Sequence, residues 1–134
     1  MNKKILLAFL ILVAVIASIG AVSAFYDLNI PDGYKVDDSK NITNETTEIM
    51  GIKTTYNRIV MVNGDKNITV NSYMPEQEIH LSPSGGSEMK TINGIEGLYQ
   101  KVDGRSIFMF PDKDSQLVQI DAPNDDLIKQ TMGK

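Results

Sequence analysis

The chain has 134 residues and carries 13 Lys and Arg against 17 Asp and Glu, a formal charge of −4, with one His and no Cys. Such an acidic balance argues against nucleic acid or an anionic lipid surface as partner. The missing thiols exclude thiolate catalysis, thiolate metal sites, disulfide staples and Cys-anchored lipid, so packing alone must hold the fold.

The first element is a leader. Lys3 and Lys4 precede an unbroken apolar run from Ile5 to Ala17, a charged n-region followed by an h-region. The run weakens through Ser18 and Gly20 into Ala21-Val22-Ser23-Ala24, which sets Val22 and Ala24 at the −3 and −1 positions of a signal-peptidase site. Two fates fit this pattern: removal of a signal peptide, residues 1–24, or retention of residues 5–22 as an N-terminal hydrophobic helix that anchors the chain in the membrane. Those 18 residues, at about 1.5 Å each, fall just short of the roughly 30 Å hydrocarbon core. In both cases the lysines stay inside, and residues 25–134 are expected outside as a single secreted or cell-surface domain. Setting aside Lys3 and Lys4 leaves that part 11 cations against 17 acids.

Within it, Tyr26 to Ile30 alternates apolar and polar before Pro31-Asp32-Gly33, a short strand and a turn. Residues 37–47 are polar and read as a loop or a frayed helical turn. From Ile49 to Met74 two strand-like runs flank Asn63-Gly64-Asp65-Lys66, a β-hairpin in which Asn-Gly suits the positive φ values of a type I′ turn. Residues 75–88 hold Pro75, Pro83, Gly85 and Gly86 and keep no period, so they form a long connection with room for one helical turn at Glu76 to Ile79. Ile95 to Val102, Arg105 to Phe110 and Leu117 to Asp121 form a three-stranded meander, turning at Asp103-Gly104 and at Pro111 to Asp114. Ile59 to Val62 and Ile107 to Phe110 are apolar at every position, the mark of a sheet with a covered middle.

The C-terminal segment can supply the cover. Asn124 is placed as N-cap after Pro123, Asp125 and Asp126 meet the positive helix end, and Gly133 sits where a C-cap belongs. Leu127, Ile128 and Met132 share one side of that helix, which is the side to dock. Ile49-Met50-Gly51-Ile52 and Ile92-Asn93-Gly94-Ile95 also match, each with a Tyr four residues on, and read as shared turn-then-strand grammar rather than a duplicated unit.

Residues able to carry chemistry are few. His80, in the Pro-rich connection, is the single His and reads as a solvated loop residue. Asp112 with Asp114, or Asp121 with Asp125 and Asp126, could converge as the carboxylate pair of an extracellular hydrolase, but they are better explained as turn formers and a helix N-terminus. Asn63, Asp65 and Asn67 offer alternate oxygen ligands for calcium, as do Asp112 and Asp114. Ile68 and Leu117 then stand where the loop's glycine belongs, and Met74 and Pro123 where its bidentate Glu is required. Tyr34, Tyr56, Tyr73, Tyr99, Phe108 and Phe110 lie mostly on strands among apolar neighbours and read as core. Asn41, Asn44 and Asn67 head Asn-x-Thr sequons and are the candidate N-glycosylation sites. No catalytic, cofactor-binding or metal-binding set is assigned.

Taken with the leader, the segments Leu28-Asn29-Ile30-Pro31-Asp32-Gly33-Tyr34, Lys90 to Tyr99 and Asp125-Asp126-Leu127-Ile128 resemble a family of small exported domains in methanogenic archaea. Its landmarks are turns and strand starts, so the resemblance brings no catalytic residue. The Ile-Pro-Asp-Gly-Tyr opening is similar to the first strand of photosystem-assembly-like lipoprotein domains, which implies a helix-flanked antiparallel sheet. The expectation is an α+β domain: about five or six antiparallel strands packed by the C-terminal helix. Its expected work is binding an envelope, extracellular protein or cell-wall partner, with a carboxylate-dependent hydrolase or a weak calcium- or ligand-binding module as alternatives.

Overall fold

A computed structural model describes residues 11–12, 17–18, 28–77, 79–112 and 116–132. Among residues 1–24 it describes only a two-residue antiparallel ladder, Ile11–Leu12 with Ala17–Ser18. The expected N-terminal helix, with its cleavage site, otherwise lies outside the described residues, as do Tyr26 and Asp27, Glu78, Asp114 and Gly133. Among the described residues no helix is long and apolar enough to cross a membrane.

The rest is one open antiparallel sheet of eight strands: β1 (Lys35–Val36), β2 (Ile42–Ile49), β3 (Ile52–Asn63), β4 (Lys66–Pro75), β5 (Glu88–Ile92), β6 (Ile95–Val102), β7 (Arg105–Pro111) and β8 (Leu117–Ala122). A helix, α1 (Asp125–Met132), follows. Across the sheet the order is β1-β3-β4-β8-β7-β6-β5, and β2 shares the outer side of β3 with β1. The β3–β4 hairpin and the β5-to-β8 meander are therefore sewn together by one pairing, β4 with β8.

Period-2 alternation then decides which residues meet the helix. Ile59, Val70, Ile120, Phe108 and Tyr99 stand in one cross-strand row, with Met61, Ile68 and Ala122 beside them. All are buried, together with Ile128 and Met132 of α1. Phe108 and Phe110 pack with ring centroids 5.5 Å apart. Each fully buried side chain of this size contributes about 1.5–3 kcal/mol. Gly97 lies beneath the pair; a Cβ there would collide with the Met109 carbonyl oxygen and sit 2.9 Å from both a Phe108 ring carbon and the Phe110 Cβ. The expected helix is present with its cap: the Leu127 N–H donates to Asn124 Oδ1 at 2.9 Å. Asn29 N–H donates to the Thr131 carbonyl at 2.9 Å, which ties the start of the domain to its last helix.

Several expectations need correction. The sheet has eight strands rather than five or six. Residues 28–30 are not a strand, since Leu28 packs against the core and Asn29 bonds to α1 instead of a neighbour strand. The Pro31-Asp32-Gly33 turn is present, closed by Tyr34 N–H to the Pro31 carbonyl at 3.0 Å. The polar stretch 37–47 is a 3₁₀ turn, Asp38–Lys40, followed by most of β2. This edge strand is exposed or half-buried at every position, so apolar alternation is not required of it, and β-branched Thr43, Thr46 and Thr47 suit it. No helical turn occurs at the described residues of 76–79. At the β3–β4 turn Gly64 alone has positive φ, 63°, the type II′ pattern rather than I′. The two matching Ile-x-Gly-Ile segments are both two-residue hairpin turns with positive φ at each central residue: Met50 52° and Gly51 79°, Asn93 52° and Gly94 79°. Shared turn chemistry accounts for the likeness. Among the described residues α1 covers one face of the sheet's middle, packing on β7 and β8.

Candidate functional site

Two polar arrangements stand out, one where α1 meets the sheet and one on the face that α1 leaves uncovered. At the first, Asp125 accepts hydrogen bonds from Tyr99 Oη at 2.6 Å and Ser106 Oγ at 2.5 Å, and Lys90 Nζ lies 3.3 Å from its other oxygen. The same ammonium sits 4.0 Å from the Tyr99 ring centroid. These donors, Ser106 and Tyr99 ahead of Lys90, hold the Asp125 carboxyl down at about 2. Beside this cluster a shallow hollow of about 250 Å³ is lined by Lys90, Thr91, Ile92, Asn93, Asp125 and Lys129. Asn93 Nδ2 donates to the Lys129 carbonyl at 3.0 Å, so the cluster and this bond fasten both ends of the short helix to β5 and its turn. The arrangement anchors a helix: its one carboxylate is saturated by donors, which unsuits it as a general base.

On the uncovered face, Arg58, Asn71 and Gln119 are cross-strand neighbours on β3, β4 and β8. Arg58 Nε donates to Asn71 Oδ1 at 2.8 Å, and Asn71 Nδ2 donates to Gln119 Oε1 at 3.1 Å. Tyr73 Oη reaches the same oxygen at 3.5 Å and pairs with Tyr56, ring centroids 6.0 Å apart. Burial pushes the Tyr73 hydroxyl above its ordinary pKa, with Arg58 pulling the other way. Further along, Arg105 Nε donates to Asp121 Oδ1 at 2.7 Å, while Arg105 also donates to Asn67. The strip is a chain of locked polar groups beside two aromatic rings, with half-buried Leu98 and Met109 and exposed Met89 continuing it toward β5.

The residues singled out from sequence do not converge. His80 is exposed on the connection after β4. Asp121 is bound to Arg105, Asp125 to the α1 anchor, and Asp126 accepts from Gln130 at 2.6 Å. No group of three His, Cys, Asp or Glu among the described residues is placed to hold a metal ion. Asn63, Asp65 and Asn67 straddle the β3–β4 turn; Asn63 pairs across it with Lys66, so Asn67 stands on the opposite face of the sheet. Of the aromatics, Tyr99, Phe108 and Phe110 are core, as read, whereas Tyr56 and Tyr73 belong to the open face. The sequons separate as well. Asn41 Oδ1 accepts from the Val60 N–H at 3.0 Å and Asn67 Oδ1 from Arg105 at 3.1 Å, while Asn44 is exposed with φ 53°. The sequence does not announce the Arg58-Asn71-Gln119 strip, because its members are 13 and 48 residues apart and only strand register unites them.

The fold and these surfaces define an α+β domain built on an open antiparallel sheet with one face covered. Compared with protein-family models, curated proteins and solved structures, the chain finds no match.

Proposed function

We propose that this chain is an exported, non-catalytic domain that acts by binding an envelope, extracellular protein or cell-wall partner, with residues 25–134 outside the membrane. The open face of the sheet supports this reading more than any other feature. Aromatic residues and Arg are the types enriched where proteins bind, and here Tyr56, Tyr73 and Arg58 are held in place before any partner arrives. Asn71 and Gln119 fix the guanidinium and hydroxyl at no further ordering cost. The hydrolase alternative needs two carboxylates facing a cleft. Here Asp121 and Asp125 are each committed to their own donors on opposite faces.

The test is capture from native membranes with the full chain as bait, run beside a Tyr56→Ala/Tyr73→Ala double variant. A partner recovered by the wild type and lost with the variant, at equal melting temperature, is the expected result. Recovery of nothing specific, or equal recovery by both, would overturn the reading.

A further inference from the structure

The two sides of the sheet end differently, and β5 is the side left open. Its hairpin with β6 turns on two residues, so Ile92 and Ile95 form a hydrogen-bonded pair and the bonded pairs recur at Lys90–Gly97 and Glu88–Tyr99. Met89 and Thr91 therefore turn their backbone N–H and C=O outward, and among the described residues no hydrogen bond reaches those groups. The strand contains no bulge and no Pro, two of the devices that spoil an edge, and the charges it carries, Glu88 and Lys90, are of opposite sign. Met89 is 39% exposed and ends the apolar row Met89–Leu98–Met109 on the uncovered face.

The order Glu88-Met89-Lys90 is complementary to itself when reversed. We propose that two copies of this chain pair antiparallel through β5, about a two-fold axis at Met89, joining their sheets into one. In that register Met89 exchanges both backbone bonds with Met89 of the second copy, and the Thr91 N–H reaches the Ser87 carbonyl of the second copy on each side. Glu88 stands opposite Lys90 of the second copy, and Lys90 opposite its Glu88, on the face that carries α1. Opposite charges directly across a strand pair favour pairing, whereas the neighbouring register about Lys90 sets two lysines face to face. Lys90 is 38% exposed, and its ammonium, which spends one donor on Asp125, has donors left for a second carboxylate. The two exposed methionines cover one another on the far face. This pairing uses an edge, not the Tyr56–Tyr73 face, and stands or falls separately from the partner reading.

The absence of Cys makes the test direct. Single variants Met89→Cys, Thr91→Cys and Thr46→Cys (on β2) of the full chain are treated with the thiol oxidant diamide. Hydrogen-bonded antiparallel residues have Cα atoms about 5.5 Å apart, inside the disulfide range. The two copies of Thr91 would lie roughly 13 Å apart, outside it. M89C is expected to cross-link at least tenfold faster than T91C or T46C. Adding Glu88→Lys should slow M89C cross-linking about tenfold, and adding Lys90→Glu to that chain should recover it, with melting curves confirming that each variant is folded. Equal cross-linking at residues 89 and 46, or indifference to the charge changes, would overturn the proposal.

Discussion

β2 and β5 flank the same sheet, and each joins its neighbour through a two-residue turn with Gly second, Met50–Gly51 and Asn93–Gly94, yet they are finished in opposite ways. β2 carries Glu45 and Glu48, is interrupted by a register shift between Ile42 and Glu45, and holds Asn44 in the left-handed region with its N–H turned to Asn57 Oδ1. Acid, bulge and twist are the means by which sheet edges avoid unwanted pairing. It also lies within the segment bearing two of the three sequons. β5 has no bulge and no residue in the left-handed region, and its two charges, Glu88 and Lys90, alternate in sign so that a reversed copy suits them. The turn type makes a hairpin; what the outer strand carries decides whether that hairpin ends the sheet or extends it.

Gly97→Ala should disturb this contrast most. The added Cβ meets a backbone carbonyl and both Phe108 and Phe110, so β6 must shift and take β5 with it. A loss of about 3 kcal/mol in urea unfolding is expected, with Met89→Cys cross-linking falling together with stability. Asp125→Asn comes next. It weakens the anchor between α1 and the β5–β6 side, at a cost of about 1 kcal/mol given the partial exposure of the pair, while leaving the β2 side untouched. The same carboxylate sets an acid response. Its pKa is held at about 2, below the ordinary 3.8, so its stabilisation is complete above about pH 4 and disappears as pH falls through 2. Thermal melts from pH 2 to 5 should show that portion of the acid dependence in the wild type and not in Asp125→Asn. Thr46→Lys, on the guarded edge, should change stability by less than about 0.5 kcal/mol and leave M89C cross-linking unaltered.

The parts of the fold legible in sequence are those where burial imposes a period. Ile68 and Val70, Val118 and Ile120, and the capped helix from Asn124 all announce their inward faces, and all pack as read. The two edge strands escape that signal for a common reason: β2 is exposed or half-buried at every position, and β5 holds one buried residue, Ile92. Their traces are instead the Ile-x-Gly-Ile closures and, for β2, its run of threonines. The polar sites were less legible still. Tyr99 reads as core and Asp125 as a helix N-terminus, and both readings hold, but their contact depends on where α1 lands on the sheet.

Backbone amide exchange compares the two edges most directly. The outward N–H groups are those of Met89 and Thr91 on β5 and, by the same alternation from the Ile49–Ile52 pair, those of Thr46 and Glu48 on β2. Edge pairing through β5 predicts that exchange at Met89 and Thr91 slows as protein concentration rises, while Thr46 and Glu48 exchange quickly at every concentration. Fast, concentration-independent exchange at all four positions would contradict it.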